Sequence, residues 1–272
     1  MPYFIYDIPT VWLAIYCSLL FVGLTWFGII FIKPFLRLVI GRDPRINELV
    51  FHTSAGFSLF YGLLLGLLAV AAYQNFDEVR RSVFAEAATL GLLYGDAGSY
   101  PDPVGPEVQE LLRDYTLYVI YKDWPAHRRG LIYKGGSNRL IMIQHSILKF
   151  EPRTASQGIL HAQTLADFND FVVARQSRLA GVRTQLPGVL WYAVGIGALI
   201  NIVLIWMLNM RFFTHMLLGA IVSFFLGVMI FLIASLDNPM RGEVSVSPDN
   251  YQLVYDVLMV WDEEGADANG GL

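Results

Sequence analysis

With 55% hydrophobic and 15% charged residues over 272 positions, the chain suits an integral membrane protein with a modest polar portion better than a soluble enzyme. A net charge of −4 offers no basic face to nucleic acid. A lone cysteine, Cys17, excludes a disulfide framework within one chain.

The first apolar stretch, residues 8–32, holds no charged residue. It lacks a basic leader and exceeds a signal-peptide core, so it reads as a genuine span. Lys33 and Pro34 close it. A short basic connector follows, with Lys33, Arg37, Arg42 and Arg45.

The second stretch, residues 49–76, is free of Asp, Glu, Lys and Arg and is long enough to cross a hydrocarbon core of about 30 Å as a helix. Small residues recur along it at Ala55, Ser58, Gly62, Gly66 and Ala69, a spacing that places them on one helical face. In lipid such a stripe lets backbones approach closely. The helical pattern continues past the apolar stretch through Phe76, Val79, Val83, Ala87, Leu90 and Tyr94. One long helix is therefore expected to run from the second span to about residue 94.

Residues 77–184 form the main polar region. After the helix carried over from the second span, a pattern at Val108, Leu111, Leu112, Tyr115 and Val119 predicts another. Trp124-Pro125 is expected to end it, because proline disfavours the helical region for the residue before it. A third helix carries Leu140, Ile143, Ile147 and Phe150. A fourth runs from about Ser156 to Arg183 and stops before Pro187. No alternating run points to a strand. Residues 188–210 and 212–236 form two further spans with a tight connector. The tail, 237–272, begins with a turn and continues as a short extended piece over Glu243–Ser247 and a helix from Pro248. It ends in an acidic segment, Asp262–Leu272, expected to be disordered. The expected fold is all-α and integral to the membrane, with four transmembrane helices and a helical extramembrane bundle between spans two and three.

Four crossings put both termini and the bundle on one side. The basic residues near span ends are divided almost evenly between the two faces, so the positive-inside rule does not choose a side. Span one, with no Lys or Arg before it and four after it, favours the termini outside.

Five stretches together resemble a known family. They are Phe84-Ala-Glu-Ala-Ala-Thr-Leu-Gly-Leu-Leu-Tyr94, Tyr118-Val-Ile-Tyr-Lys-Asp-Trp-Pro125, Arg175-Gln-Ser-Arg-Leu179, Leu186-Pro-Gly-Val-Leu-Trp191 and Leu236-Asp-Asn-Pro-Met-Arg-Gly-Glu-Val-Ser-Val-Ser-Pro248. In that order they are similar to the bestrophin-like membrane proteins of bacteria and plants. The resemblance runs from about Asn47 to Tyr255. Two positions depart from it: Lys122-Asp123 stands where two acids are usual, and Met240 where phenylalanine is usual. The resemblance implies a four-span helical protein of a bacterial inner or plasma membrane, or of a plant organelle membrane. It also implies kinship with bestrophin anion channels, which is an analogy of architecture and does not by itself fix function.

Glu86 falls inside the apolar pattern of the first bundle helix, and Arg175 and Arg178 inside that of the last. A buried carboxylate is costly unless a cation meets it, so Glu86 is expected to pair with one of these arginines, as a structural tie or as a gate. His52, Ser54, Ser58 and Tyr61 are the pore-lining candidates of span two. Asn201 and Ser223 are intramembrane polar residues, which are functional candidates by default; an interhelical hydrogen bond is the plainer role for Asn201. Asp237, Asn238, Pro239, Arg241 and Gly242 form the membrane-exit turn. It reads as a simple exit turn, or as a point that coordinates an ion or docks on a neighbouring subunit.

No Gly-x-Ser-x-Gly, phosphate-binding glycine loop or His-Glu-x-x-His occurs, and the five histidines are scattered. No catalysis, cofactor or metal is expected. No acid or basic residue lies deep in any span. That argues against a proton relay and leaves room for an anion pore, where hydroxyls, aromatic edges and apolar necks suffice. The leading expectation is a homo-oligomeric anion channel with span two lining or flanking the pore. Its partners would be further copies of itself, the lipid bilayer and small inorganic anions. The alternative is a non-conducting scaffold or sensor whose bundle binds a partner.

Overall fold

The computed structural model describes residues 6, 8–40 and 44–260. Among these no strand occurs. Ten α-helices follow one another: α1 Thr10–Phe27, α2 Lys33–Ile40, α3 Pro44–Ala97, α4 Val104–Tyr118, α5 Trp124–His127, α6 Gly135–Leu148, α7 Ala155–Gly181, α8 Gly188–Met207, α9 Phe212–Leu236 and α10 Asp249–Val254. Three π turns adjoin them, at Gly28–Ile32, Val119–Asp123 and Tyr255–Met259. Four helical stretches are long and apolar enough to cross a membrane: Thr10–Leu36, Asn47–Ala97, Gly188–Met207 and Phe212–Leu236. The protein is thus all-α and integral to the membrane. The acidic segment from Asp262 and Arg42 of the connector lie outside the described residues.

Two π turns account for the differences from sequence expectation. Proline inside a helix loses a hydrogen bond, and its ring clashes with the carbonyl four residues earlier. For Pro34 that carbonyl belongs to Ile30, and for Pro125 to Tyr121. Each is the middle residue of a π turn. The wider i→i−5 loop moves that carbonyl out of the way, so the helix passes through proline where a stop was expected. Span one therefore continues beyond Ile32, and the helix of Val108 and Leu112 continues beyond Trp124. The widening is seen directly in Lys33 N–H donating to the Gly28 carbonyl and Trp124 N–H to that of Val119.

The chain divides into two compact units. One gathers the residues up to Phe76 with Gln185–Asn238 and Gly242–Ser245; the other holds Asp77–Thr184, Pro239–Arg241 and the residues from Val246. Helix α3 is continuous from Pro44 to Ala97 and contributes to both.

In the first unit α1 and α9 make the most intimate pair. A Cβ at Gly227 would stand 2.6 Å from the Ser18 Cα, so the bare glycine is what lets the two backbones touch. One level along, the hydroxyls of Thr25 and Ser223 lie 2.5 Å apart. The Trp206 ring lies flush on Gly28, and its indole N–H donates to the Thr25 carbonyl at 3.1 Å. Tyr61, Leu65, Leu68 and Ala72 of α3 share a core with Val194 and Ala198 of α8 and Leu226 and Ile233 of α9.

Lys33, expected in the short basic connector, is buried. Its Nζ is 2.6 Å from His215 Nδ1, while His215 Nε2 is 2.8 Å from the Ile205 carbonyl. A nitrogen facing a carbonyl must carry the hydrogen. Nε2 is therefore the donor, and Nδ1 accepts from the ammonium.

The second unit buries Val79, Val83, Ala87, Leu90 and Leu93 of α3 against Val108, Leu112 and Tyr115 of α4, Ile143 and Ile147 of α6, and Phe168 and Phe171 of α7. Each fully buried Leu, Ile or Phe contributes roughly 1.5–3 kcal/mol. Helix α7 opens with a built cap: Thr154 Oγ1 accepts from Gln157 N–H at 3.2 Å, and Gln157 Oε1 accepts from Arg153 N–H at 2.8 Å.

Gly227→Ala should lower stability by about 1–3 kcal/mol, because the added methyl meets backbone. Gly23→Ala on the partner helix α1, where a Cβ meets nothing within 4 Å, should not. Thermal unfolding of the two purified variants in detergent checks this.

Candidate functional site

Two regions carry the polar residues that sequence analysis singles out, one in each unit.

The first is α3 within the four-span unit. The stripe of Tyr61, Leu65, Leu68 and Ala72 turns inward. The stripe of Ala55, Ser58 and Gly62 is open in the single subunit. A Cβ added at Gly56, Gly62 or Gly66 would meet nothing within 4 Å, so these glycines are not used to pack the subunit. His52 lies at the exposed start of the helix, 4.0 Å from Glu48 one turn earlier. Ser54 is half-buried, and among the described residues its hydroxyl has no hydrogen-bond partner. Ser58 Oγ accepts from Asn201 Nδ2 at 3.3 Å, an interhelical bond to α8.

Tyr61 parts company with this set. Its ring is 5% exposed, stacks on Phe57 and lies on Gly197, and its hydroxyl donates to the Val194 carbonyl at 2.8 Å. Gly197 leaves a gap that fits an aromatic ring, and the carbonyl satisfies the phenol, so burial in the subunit's own core wins over exposure on the open face. Ser223, paired with Thr25, is likewise used inside the subunit.

The second region is a polar cluster at the centre of the other unit. Glu86 and Arg178 are both fully buried. Arg178 Nε donates to Glu86 Oε2 at 2.6 Å and Nη2 to Oε1 at 3.2 Å. The Tyr115 hydroxyl donates to Oε1 at 2.6 Å. The remaining Arg178 nitrogen, Nη1, lies 3.0 Å from His127 Nδ1. Since guanidinium only donates, Nδ1 is an acceptor and the imidazole is neutral. Burial, reinforced by Arg178 and Arg175, holds the His127 pKa down to about 3. Burial is the largest single influence on Arg178 and opposes its charge, but Glu86, Tyr251 and Tyr115 together outweigh it and hold the guanidinium well above its ordinary value.

Arg175, one turn back, does not reach Glu86; its Nη2 bonds the Ser137 hydroxyl at 3.3 Å. Asp123 lies nearby and is also buried. Asp123 and His127 were not singled out from sequence. Their signal is the buried face of α4, Val108, Leu112, Tyr115 and Val119, which continues to both in steps of three or four. The presumed stop at Pro125 hid its continuation to His127.

The exit turn is built locally. Asp237 accepts from Leu186 N–H at 2.7 Å and from the Trp191 indole at 3.2 Å, which ties the start of α8 to the end of α9. Asn238 donates to the Tyr6 hydroxyl at 2.5 Å. The Pro239 carbonyl accepts from Val246 N–H at 2.9 Å. Gly242 turns with a positive φ of 83°. The Arg241 guanidinium lies flush on Gly130, where a side chain would displace it. Arg139 is bonded to Asp114 at 2.7 Å and sits over the Tyr118 ring. Among the described residues no group of three or more His, Cys, Asp and Glu side chains could hold a metal ion.

These elements define a helical membrane protein with four spans and a helical extramembrane bundle. Its sequence matches the Bestrophin-like domain over residues 19–251, and the chain belongs to that family. A bacterial bestrophin homologue from Klebsiella pneumoniae, solved by zinc phasing, superposes with a TM-score of 0.62 at 14% identity, covering 89% of this chain and 97% of that one. A variant of the Klebsiella homologue with an isoleucine-to-threonine change gives 0.62 at 13% identity, covering 90% and 97%. Another with a leucine-to-threonine change gives 0.61 at 14%, covering 89% and 98%. At these identities the likeness is one of fold. No curated protein matches the chain.

Arg178→Ala should cost about 3–5 kcal/mol, since it leaves a bare carboxylate inside the bundle. Tyr115→Phe should cost about 1–3 kcal/mol, for one lost donor to that carboxylate. Thermal or denaturant unfolding measures both. Because His127 is held neutral in the folded chain and would protonate near pH 6.5 when unfolded, its contribution is complete above that value. It is lost as pH falls towards about 3. The fall in melting temperature between pH 7 and pH 4 should therefore be smaller in His127→Asn.

Proposed function

We propose that this chain is the protomer of a homo-oligomeric membrane ion channel that conducts anions, with α3 lining or flanking the pore. One observation carries the reading: the Ala55, Ser58 and Gly62 face of α3 stays open although the adjoining face of the same helix, Tyr61, Leu65, Leu68 and Ala72, is packed. A helix that leaves its small, weakly polar side exposed can offer it to an axis shared by several copies, and symmetric rings are the usual way to place a pore on such an axis. Membership of the Bestrophin-like family supports the same reading. Anions follow from the pattern of charge. The open face carries hydroxyls and bare backbone without carboxylates.

A second reading has its own support. Tyr61 packs against α8 in the same subunit and Ser58 bonds Asn201 of that helix, as in a scaffold whose spans only hold one another. Its bundle would then bind a partner and no ion would pass. On either reading both termini and the bundle lie on one side of the membrane.

Reconstitution of the purified protein into liposomes distinguishes the two. The channel reading expects chloride flux well above protein-free vesicles and little potassium flux. No flux over a range of voltage, pH and calcium retires it. Gly62→Trp, at a position with free space in the subunit, should leave the subunit folded and sharply reduce flux. Flux equal to wild type would remove α3 from the pore.

A further inference from the structure

Asp123 closes the second π turn and is 1% exposed, yet among the described residues neither of its carboxylate oxygens has a hydrogen-bond partner. Arg175 is in the complementary state. It is 5% exposed, its Nε has no partner among the described residues, and its Nη2 reaches the Ser137 hydroxyl at a long 3.3 Å. The two groups meet at Gly136. A Cβ there would stand 2.9 Å from Asp123 Oδ2 and 3.0 Å from Arg175 Nη2, so these atoms lie within about 6 Å of each other with no side chain of residue 136 between them. They are opposite charges, both buried and both short of partners, and they do not form an ion pair.

We propose that Arg175 is the moving part of a proton-operated latch, bonding Ser137 while Asp123 carries a proton and swinging to Asp123 when that proton leaves. A buried ionised carboxyl must find a cation or stay protonated. Of the two nearest arginines, Arg178 is committed to Glu86 and His127 through all three of its nitrogens. Arg175 alone has an unused N–H, and the bare glycine leaves its path clear.

The groups acting on Asp123 come from several elements: Glu86 of α3, Arg175 and Arg178 of α7, Arg139 of α6 and Tyr118 of α4. His127 lies one turn on, and Tyr251 of α10 packs edge-to-face with the adjoining Trp124. Burial, the largest influence, and Glu86 favour the protonated form; Arg178, Arg175 and Arg139 oppose it, and burial prevails. The folded chain therefore holds this proton more tightly than the unfolded chain. The stability it confers is full at pH values below the ordinary aspartate range and is lost as pH rises through the titration of Asp123. Ser137 belongs to the first turn of α6, whereas Asp123 ends the π turn. The swing therefore changes which element anchors α7 one turn from Arg178.

Double-mutant cycles on the full-length protein in detergent test this without any flux measurement, so the outcome does not depend on the channel reading. Melting temperatures would be taken at acidic and neutral pH for R175Q, S137A, D123N and the two doubles that contain R175Q. At acidic pH, Arg175 should couple to Ser137 and not to Asp123; at neutral pH the coupling should pass to Asp123. In infrared spectra a protonated-carboxyl band present in acid should vanish in D123N. It should survive in D96N and in D237N, since burial, with Asp167 alongside, pushes Asp96 up to about 6, and burial raises Asp237 as well. If R175Q does not fold, S137A alone decides, because its loss of melting temperature should appear only in acid. Coupling to Ser137 that does not change with pH, an S137A loss equal at both pH values, or the absence of the Asp123 band at every pH where the chain is folded would overturn the latch.

Discussion

A carboxylate sealed from water must have its charge answered inside the protein, and the extramembrane bundle is arranged around that requirement. Glu86 receives two hydrogen bonds from Arg178 and one from Tyr115, drawing α7 and α4 onto α3. Arg178 then extends the chain of contacts to His127, beyond the π turn. Replacing such a pair with well-packed apolar groups is often neutral or even stabilising. What the polar version adds is direction: a bidentate arginine has few acceptable geometries, so it fixes how three helices rotate about their own axes, which Leu and Ile contacts leave loose.

Much of this architecture is legible in the sequence, because the signals are long. Uncharged stretches of twenty residues or more, and a helical repeat running on past the second span from Phe76 to Tyr94, survive errors of a residue or two. That Glu86 must meet a cation follows from its place in an apolar pattern. Which of Arg175 and Arg178 reaches it does not, because both share one face of α7 and the choice depends on a single helical turn. Proline misled for a physical reason: it ends a regular α-helix but not one that has already widened, and nothing in Ile29–Phe31 or Ile120–Lys122 announces the widening. Lys33, Asp123 and His127 all lie at the far edge of such a turn or beyond it. As a result, Lys33 read as a connector residue, and His127 fell outside the helix it extends.

Small residues show the same limit. Gly219, Ser223 and Gly227 on α9 have the spacing of Ser58, Gly62 and Gly66 on α3, and sequence cannot tell the two stripes apart. The structure can. The α9 stripe is filled by Thr25, Ile29 and the Ser18 backbone, whereas Gly62 and Gly66 meet nothing. One glycine pattern therefore closes a subunit while another leaves a surface, and only the neighbours distinguish them. Tyr61 marks the divide on α3: it is one residue from Gly62, yet it points about 100° away around the helix and into the core.

A π turn is an α-helix with one residue too many. Every side chain beyond it is rotated by about 100° from where an unbroken α-helix would carry it. Shortening Gly28–Ile32 or Val119–Asp123 by one residue would thus act on distant groups as strongly as on local ones. It would bring the proline ring back against a carbonyl, and it would swing Lys33 off His215 in the first case and His127 off Arg178 in the second. In these two segments the number of residues matters more than their identity, and natural variation there should take the form of substitution and not of gain or loss in length.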